Sequence, residues 1–303
     1  QVISRAKLWF WISGTLTVVS IVAGIVFGPK FGLDFTGGTM MEIKVNETVT
    51  AQDISSALSE ADETVETDLS HASVLPSENH NFILRTKSIT NEEHDIILAK
   101  FREKFGEVEE SRFTVVGPVI GSALKSKALT ALIFTSLMIV LYIAFAFRHV
   151  PKAVSPWRFG ICAIIALLHD VIITIGVFFV LGKFLNVEMD ALFVTALLTV
   201  MGFSVHDTIV VFDRIRENLL LARRDTPFDE IANNALNQTM ARSLNTSIST
   251  LITITTLFIL GPQSIRYFVF ALLVGIIVGT YSSIFTASPL LCVWKKWADR
   301  RRM

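Results

Sequence analysis

Six mostly apolar stretches limit what this chain can fold into. They cover residues 8–27, 129–147, 159–181, 191–212, 244–260 and 267–291. A run of about 18 or more predominantly apolar residues can cross the hydrocarbon core of a bilayer as a helix. Only 18% of the residues are charged, against about a quarter in soluble domains. The sequence therefore predicts a membrane protein with an all-α bundle of six helices.

A polar insert separates the first two apolar stretches. Its pattern predicts the order β-α-β-β-α-β, with strands at 37–45, 67–75, 81–87 and 112–118 and helices at 51–62 and 92–106. Thr50 and the capping box at Thr90 predict the two helix starts. The order is that of the ferredoxin-like fold, an α+β fold. We therefore divide the chain into a first span (1–27), an inserted ferredoxin-like domain (28–122) and a five-span domain (123–303).

Basic residues predict how the chain is oriented. Lysines and arginines concentrate before the first span, in the loops 148–158 and 213–243, and in the C-terminal tail, whereas the alternate short loops hold one each, Lys183 and Arg266. Cytoplasmic loops carry the excess of basic residues. Both termini and the 213–243 loop are expected to be cytoplasmic, and the inserted domain is expected to be periplasmic or otherwise extracytoplasmic.

The sequence gives little indication of enzymatic chemistry. Its two cysteines, Cys162 and Cys292, lie in apolar runs and form neither a disulfide framework nor a zinc motif. The inserted domain contains no nucleophile–base pair and no metal-binding cluster in its sequence. The 27 basic residues balance the 27 acidic ones, which gives no indication of a nucleic-acid partner. We expect no metal, no cofactor and no enzyme activity.

Two aspartates lie inside the apolar stretches, each directly after a histidine. They are Asp170, after His169 in the third span, and Asp207, after His206 in the fourth. A carboxylate at the centre of a membrane helix costs about 2.5–3.5 kcal/mol on insertion scales, so such residues usually have a function. The two spans run in opposite directions, which predicts different depths for the carboxyls. This offset favours successive stations on a proton path.

Two polar stripes accompany these aspartates. On the fifth span, polar residues recur at steps of three and four: Arg242, Thr246, Ser249, Thr253 and Thr256. On the fourth span, a polar or small stripe contains Thr195, Thr199, Gly202 and His206. Helical residues at this spacing share one face, and two such faces could line a hydrated seam. In the competing interpretation the hydroxyls bond helix to helix, and Asp207 and Arg242 form a structural ion pair.

Four motifs in order resemble the SecF family of protein-export membrane proteins, which belongs to the SecD/SecF family and the resistance–nodulation–division (RND) superfamily. The motifs are "FGLDFTGGTMMEI" after the first span, "HDVIITIG" in the third, "GFSVHDTIVVFDRIREN" in the fourth and "ARSLNTSIST" opening the fifth. The resemblance extends over essentially the whole chain.

The resemblance implies a function in the Sec pathway of the bacterial cytoplasmic (inner) membrane. SecF proteins pair with SecD, a homologous six-span half that is a separate chain or fused. The SecDF complex uses the proton-motive force to assist preprotein translocation through the SecYEG channel. SecYEG, YajC, YidC, a translocating preprotein and protons are therefore the implied partners.

The resemblance also assigns residues. It implies proton transport at Asp207 and Arg242, and places Asp170, Asp213 and the motif residues Asp34, Gly37 and Gly38 in other family motifs. His206 departs from the asparagine that many relatives have. From the residues and the resemblance together, we expect a proton relay of Asp207, Arg242, Asp170, His206 and His169, supported by Asp213, Thr246, Ser249, Thr253 and Thr199.

Other functions remain open from the sequence. Two membrane aspartates also occur in intramembrane aspartyl proteases, but a Gly-x-Gly-Asp motif is missing. A drug or lipid transporter half of the same superfamily would extrude a substrate without any Sec channel. A scaffold of the Sec channel without motor function would tolerate a charge-neutral substitution at Asp207.

Overall fold

A computed structural model of the chain describes residues 2–46, 49–62, 64–69, 72–76, 81–148, 156–223 and 226–300. The chain divides into two compact units. The larger comprises Gln1–Lys30 and Thr130–Met303, and the smaller comprises Phe31–Leu129. Most of the 148–158 loop and the end of the basic tail lie outside the described residues.

The described residues are mostly helical. In chain order the α-helices are α1 (Ala6–Phe27), α2 (Leu33–Thr36), α3 (Ala51–Asp62), α4 (Asn91–Phe105), α5 (Pro118–Ala146), α6 (Pro156–Phe184), α7 (Ala191–Leu221), α8 (Phe228–Leu260), α9 (Arg266–Ser282) and α10 (Ser288–Arg300). A π-helical turn, Ser283–Ala287, joins α9 to α10. The strands are β1 (Gly38–Lys44), β2 (Ser73–Pro76), β3 (Asn81–Thr86) and β4 (Glu109–Val116).

Within the described residues, six helical segments are long and apolar enough to cross a membrane, as the sequence predicts. The sixth segment, Gln263–Arg300, includes α9, the π-helical turn and α10. Several extend beyond the apolar stretches. Helix α5, for example, begins at Pro118. Proline is well tolerated in the first helical turn, where its missing N–H is not needed. Helix α7 continues to Leu221 and α8 begins at Phe228, so both extend well beyond the ends of their apolar stretches. A helix therefore does not have to end where its apolar residues end.

Helices α6, α7 and α9 form the centre of the larger unit. Helix α7 packs against α6, α8 and α9, and α6 also packs against α1. Three buried aromatic rings mark one part of its core: Phe147 stacks on Phe159 at 5.2 Å, and Phe212 meets Phe159 edge-on at 5.3 Å. The central position of α6 and α7 matters for the site because these helices carry Asp170 and Asp207.

Glycines allow the central helices to approach closely. A Cβ atom on Gly176 of α6 would lie 2.7 Å from the Cα of Ser20 on α1. A Cβ on Gly275 of α9 would lie 2.9 Å from the Cβ of Val200 on α7, and one on Gly279 would lie 3.1 Å from the Cβ of Ser204. Small residues at such crossings let helix backbones pack tightly in membrane proteins.

We predict that Gly176→Ala destabilises the contact between α1 and α6, because the added methyl group overlaps the backbone of Ser20. Overpacking of this kind costs about 1–3 kcal/mol. The midpoint of thermal unfolding in detergent should fall. Gly160→Ala on the same helix is the control, because the nearest atom to its new methyl group is 3.7 Å away. Equal midpoints for the two variants would contradict the packing argument.

The smaller unit is built on an antiparallel sheet. Its strands lie in the order β2-β3-β1-β4, and every neighbouring pair is antiparallel. Helices α3 and α4 pack on each other, and their buried residues share a core with those of the sheet, including Ile43, Ile54 and Phe101. Strand β2 begins at Ser73, later than the sequence predicts. Residues 70, 71 and 77–80 of this region lie outside the described part of the chain.

The capping box predicted at the start of α4 forms. The Thr90 hydroxyl accepts a hydrogen bond from the Glu93 N–H at 3.3 Å, and the Glu93 carboxylate accepts one from the Thr90 N–H at 2.8 Å. The Thr90 N–H and further bonds from Thr90 and Thr67 lower the pKa of Glu93 from 4.5 to about 2. Because the pKa of Glu93 is lower in the folded state, its ionised carboxylate stabilises the fold above pH 4.5. This contribution is lost as the pH falls towards 2.

We predict that Thr90→Ala weakens the first turn of α4, because the N–H of Glu93 loses its acceptor. Loss of an N-cap costs about 1 kcal/mol, equivalent to about a fivefold increase in local opening. Amide hydrogen exchange at the start of α4 should accelerate by that factor. Ser59→Ala is the control, because the Ser59 hydroxyl is exposed and bonds only within α3. Unchanged exchange in Thr90→Ala would contradict the role of the cap.

Candidate functional site

Asp170 is a fully buried carboxyl at the meeting point of three helices. It lies on α6 and is 0% exposed. Its Oδ2 accepts hydrogen bonds from the hydroxyls of Ser204 on α7, at 2.5 Å, and Ser282 at the end of α9, at 2.7 Å. Its Oδ1 lies 2.8 Å from Nδ1 of His169. Three polar groups thus replace the water that a carboxyl would otherwise bind.

Asp207 lies one helical turn beyond Ser204 on α7. Its side chain is buried, and its Oδ2 accepts a hydrogen bond from the hydroxyl of Ser283. At a rise of 1.5 Å per residue, Ser204 and Asp207 are about 4.5 Å apart along the helix axis. Since Ser204 donates to Asp170, the two carboxyls are staggered by about one turn. Both belong to one buried polar cluster.

The end of α9 connects this cluster. Ser282 and Ser283 are both 0% exposed, and each donates to a different aspartate. Ser283 begins the π-helical turn, a structure that is rare and occurs often at functional sites. Gly279, one turn earlier, leaves room for Ser204 to approach α9. The junction between α9 and the π-helical turn therefore contacts both aspartates through adjacent residues.

His169 occupies the opposite side of Asp170. While its Nδ1 contacts the carboxyl, its Nε2 is buried and has no hydrogen-bond partner among the described residues. The imidazole stacks on the ring of Tyr281 at 6.4 Å. Ser13 of α1 lies 3.2 Å from the Tyr281 hydroxyl and 2.8 Å from that of Thr286. Polar side chains thus continue from Asp170 towards α1.

The two polar stripes predicted from the sequence lie on the surface of the larger unit. On α7 and α8 the exposed members are Thr195, Thr199, Gly202, His206, Arg242, Thr246, Ser249, Thr253 and Thr256, and Asp213 of α7 is exposed as well. We call these residues the polar face. Their threonine and serine hydroxyls bond carbonyls of their own helix, as Thr246 bonds Arg242 and Thr199 bonds Thr195. Within the described chain, these hydroxyls therefore do not join one helix to another.

Arg242 is on the polar face and does not contact Asp207 within the described chain. Its side chain is exposed, whereas the carboxyl of Asp207 is buried against Ser283. His206 is exposed as well, although it directly precedes Asp207, because adjacent helical residues point about 100° apart. Asp213 is exposed and pairs with Arg216 at 2.8 Å. The structure thus brings together Asp170, His169 and Asp207, but not Arg242, His206 or Asp213.

The motif after the first span lies in the smaller unit. Asp34 is part of the short helix α2, which ends at Gly37. Gly37 and Gly38 both have positive φ, and a Cβ on Gly38 would lie 2.6 Å from the Thr86 carbonyl oxygen. Only glycine fits such positions without strain. The two glycines therefore start the sheet and take no part in the buried aspartate cluster.

Sequence reasoning missed three residues of the cluster: Ser204, Ser282 and Ser283. The available signal was weak, because serines are common in membrane helices and donate to many partners. The stretch Tyr281-Ser282-Ser283 interrupts an otherwise apolar span, and Ser204 precedes Asp207 by three residues. Among the described residues, no group of His, Cys, Asp and Glu is arranged to hold a metal ion.

Family models match both parts of the chain. A model described as "Protein export membrane protein SecD/SecF, C-terminal" matches residues 96–297. A second model, the SecD/SecF GG motif, matches residues 22–49. The second match contains Asp34, Gly37 and Gly38.

Several curated relatives are similar over nearly their whole length. The protein translocase subunit SecF of Thermobaculum terrenum is 44% identical over 95% of this chain and 92% of that protein. The SecF subunits of Anaerolinea thermophila and Synechocystis are 35% and 34% identical, over 97% and 95% of this chain and 94% and 92% of those proteins.

Solved structures of SecDF are similar as well. The crystal structure of SecDF from Thermus thermophilus, a translocon-associated membrane protein, matches with a TM-score of 0.82 and 32% identity. The match covers 97% of this chain and 38% of that one. A second structure, SecDF in a super-membrane-facing form, matches with a TM-score of 0.70 and 31% identity, over 100% of this chain and 39% of that one. The present chain thus spans less than half of the solved SecDF chains.

Proposed function

Because the chain belongs to the SecF family of protein translocase subunits, we propose that it works as one half of a SecDF complex that uses the proton-motive force to assist preprotein translocation. The other half is a SecD-like partner, separate or fused. The proposed role moves protons and a polypeptide and catalyses no covalent reaction. The observation that carries the proposal is the position of Asp207, a buried carboxyl within a membrane-spanning helix that also carries part of an exposed polar face.

The polar face supports the need for a partner. A membrane-spanning helix that exposes a charged or strongly polar side chain to lipid is unfavourable, so such faces normally turn towards protein or a water-filled cavity. Parallel repeats in transporters place their pathway at the interface between the halves. We infer that the SecD-like half covers the polar face, which makes it the wall of a hydrated seam beside Asp207.

Arg242 then has a clear role. A medium of low dielectric favours the neutral form of a carboxyl, and a guanidinium brought close favours the ionised form. Movement of Arg242 or of water in the seam would therefore load or release a proton. The membrane potential supplies about 2.3 kcal/mol per elementary charge per 100 mV. This energy is similar to the cost of one change in the protonation of a carboxyl within the membrane.

We predict that Asp207→Asn assembles with its partner but loses the stimulation of translocation by a proton gradient, because the amide cannot take up and release a proton. Arg242→Ala should behave similarly. The measurement is translocation into vesicles with and without a proton gradient. Asp299→Asn, a change in a partly buried pair with Lys295 on α10 and away from the polar face, is the control and should retain stimulation. Full stimulation in Asp207→Asn would favour the scaffold function instead.

We predict that a cysteine in place of Ser249 forms a crosslink to the SecD-like half, because Ser249 belongs to the polar face. A cysteine in place of Ile248 is the control. Ile248 is also exposed and lies at nearly the same depth, but it points about 100° away. Crosslinking in membranes at both positions or at neither would contradict the proposed interface.

Three finer assignments rest on the same proposal. The strand order β2-β3-β1-β4 with antiparallel neighbours supports a ferredoxin-like fold for the smaller unit. The distribution of basic residues supports an extracytoplasmic location for that unit and cytoplasmic termini in a bacterial inner membrane. SecYEG is the proposed channel partner, and YajC and YidC are further candidate partners implied by the family resemblance.

A further inference from the structure

We propose that Ser282 and Ser283 couple the protonation of Asp170 to that of Asp207, which makes Asp170 a second proton-responsive group and α9 the element that joins the two. This inference rests on the proposed proton-driven function and adds positioning residues to it. Its basis is that two adjacent residues, at the junction of α9 and the π-helical turn, donate hydrogen bonds to two different buried carboxyls.

Each serine hydroxyl has a choice of acceptor. Ser282 lies within hydrogen-bond distance of Asp170 Oδ2, at 2.7 Å, and of the Gly279 carbonyl oxygen, at 3.2 Å. Ser283 lies within reach of Asp207 Oδ2 and, at 3.0 Å, of the Thr280 carbonyl oxygen. A hydroxyl has only one proton to donate. The charge of each carboxyl therefore decides whether its serine bonds across to it or back to its own helix.

The choice depends on protonation. An ionised carboxylate accepts strongly and holds the hydroxyl proton, since hydrogen bonds to a charged group are stronger than those between neutral groups. A protonated carboxyl needs an acceptor for its own proton. The serine oxygen can then accept from it while the hydroxyl proton turns to the backbone carbonyl. When either aspartate takes up a proton, the hydrogen bond between that aspartate and its serine thus reverses its direction.

The hydrogen bonds to Asp170 and Asp207 are linked because their donors, Ser282 and Ser283, are consecutive residues. A shift of the backbone that improves one contact moves the other. The π-helical turn begins at Ser283, where the regular hydrogen-bond pattern of α9 changes, so the backbone carbonyls near it have altered partners. The close packing of Gly279 on Ser204 adds a third link, because Ser204 also donates to Asp170.

Other titratable or charged groups do not replace this link. Besides further charged residues towards their ends, the helices packed around the pair carry Cys162, His169, His206, Arg242, Tyr281 and Cys292. Among the described residues, His169 contacts Asp170, and Tyr281 reaches the pair only by stacking on His169. His206 and Arg242 are exposed. Within the described chain, the serines are therefore the direct connection between the two aspartates and α9.

The test uses the complete complex with its SecD-like half in vesicles, and measures the stimulation of translocation by a proton gradient as a function of pH. Ser283→Ala removes a donor to Asp207, and Ser282→Ala removes one to Asp170 only. Loss of a hydrogen bond to a charged group corresponds to a shift of about one to two pH units in the midpoint of this pH dependence. We expect the midpoint to move upwards in both variants, although Ser282 does not contact Asp207.

Three further variants separate coupling from packing. Ser282→Thr keeps the hydroxyl and should keep the wild-type midpoint. Ser282→Cys keeps the size but is a weak donor, so its midpoint should move as in Ser282→Ala. Ser243→Ala is the matched control, because Ser243 is 2% exposed and its hydroxyl has no partner among the described residues. In an Asp170→Asn background, Ser282→Ala should have no further effect on the midpoint.

The outcomes distinguish this inference from the function it rests on. A wild-type midpoint in Ser282→Ala, with stimulation lost in Asp207→Asn, would overturn the coupling and leave the proton-driven function intact, even if Ser283→Ala shifts the midpoint. A shift in Ser282→Thr as large as that in Ser282→Ala would overturn it too, because packing would then be the cause. Full stimulation in Asp207→Asn would instead overturn the proposed function.

Discussion

A carboxyl group inside a membrane-spanning bundle must obtain from the protein the polar contacts that water would give it. Asp170 obtains them from His169, Ser204 and Ser282, which lie on three segments of the chain. The arrangement of α6, α7 and α9 is tied to this requirement, because a change in any of their crossings would remove a hydrogen-bond partner from a buried carboxyl. A hydrogen bond to a charged group contributes about 1.5–3 kcal/mol. The glycines of α9 permit the close crossing on which these contacts depend.

The sequence predicted the six apolar helices and the capping box at Thr90 because both follow from local patterns: apolar length in one case and residue spacing in the other. It also singled out Asp170 and Asp207, since charge within an apolar run is visible without a structure. It could not assign their partners. Ser282 and Ser283 become partners through the crossing of α9 with α6 and α7, and sequence separation gives no indication of that crossing.

The position of Arg242 illustrates a second limit of sequence reasoning. Its place in a polar stripe left an ion pair with Asp207 open, but the spacing of a stripe does not show which way its face points. In the structure Arg242 points outwards with the rest of the polar face, while Asp207 points inwards to Ser283. The chain therefore has a buried polar cluster on α6, α7 and the end of α9 and an exposed polar face on α7 and α8, with α7 common to both. In the proposed mechanism a SecD-like half completes the site by covering that face.

The central claim is that the buried carboxyls change their protonation state as the complex works. Infrared difference spectroscopy tests it most directly, because a protonated carboxyl has a C=O stretching band that an ionised one lacks. The account predicts that raising the pH of the assembled complex in lipid removes a band that is absent from Asp207→Asn, and that the same step perturbs a second band assigned through Asp170→Asn. A difference spectrum without any carboxyl band that depends on Asp207 would contradict it.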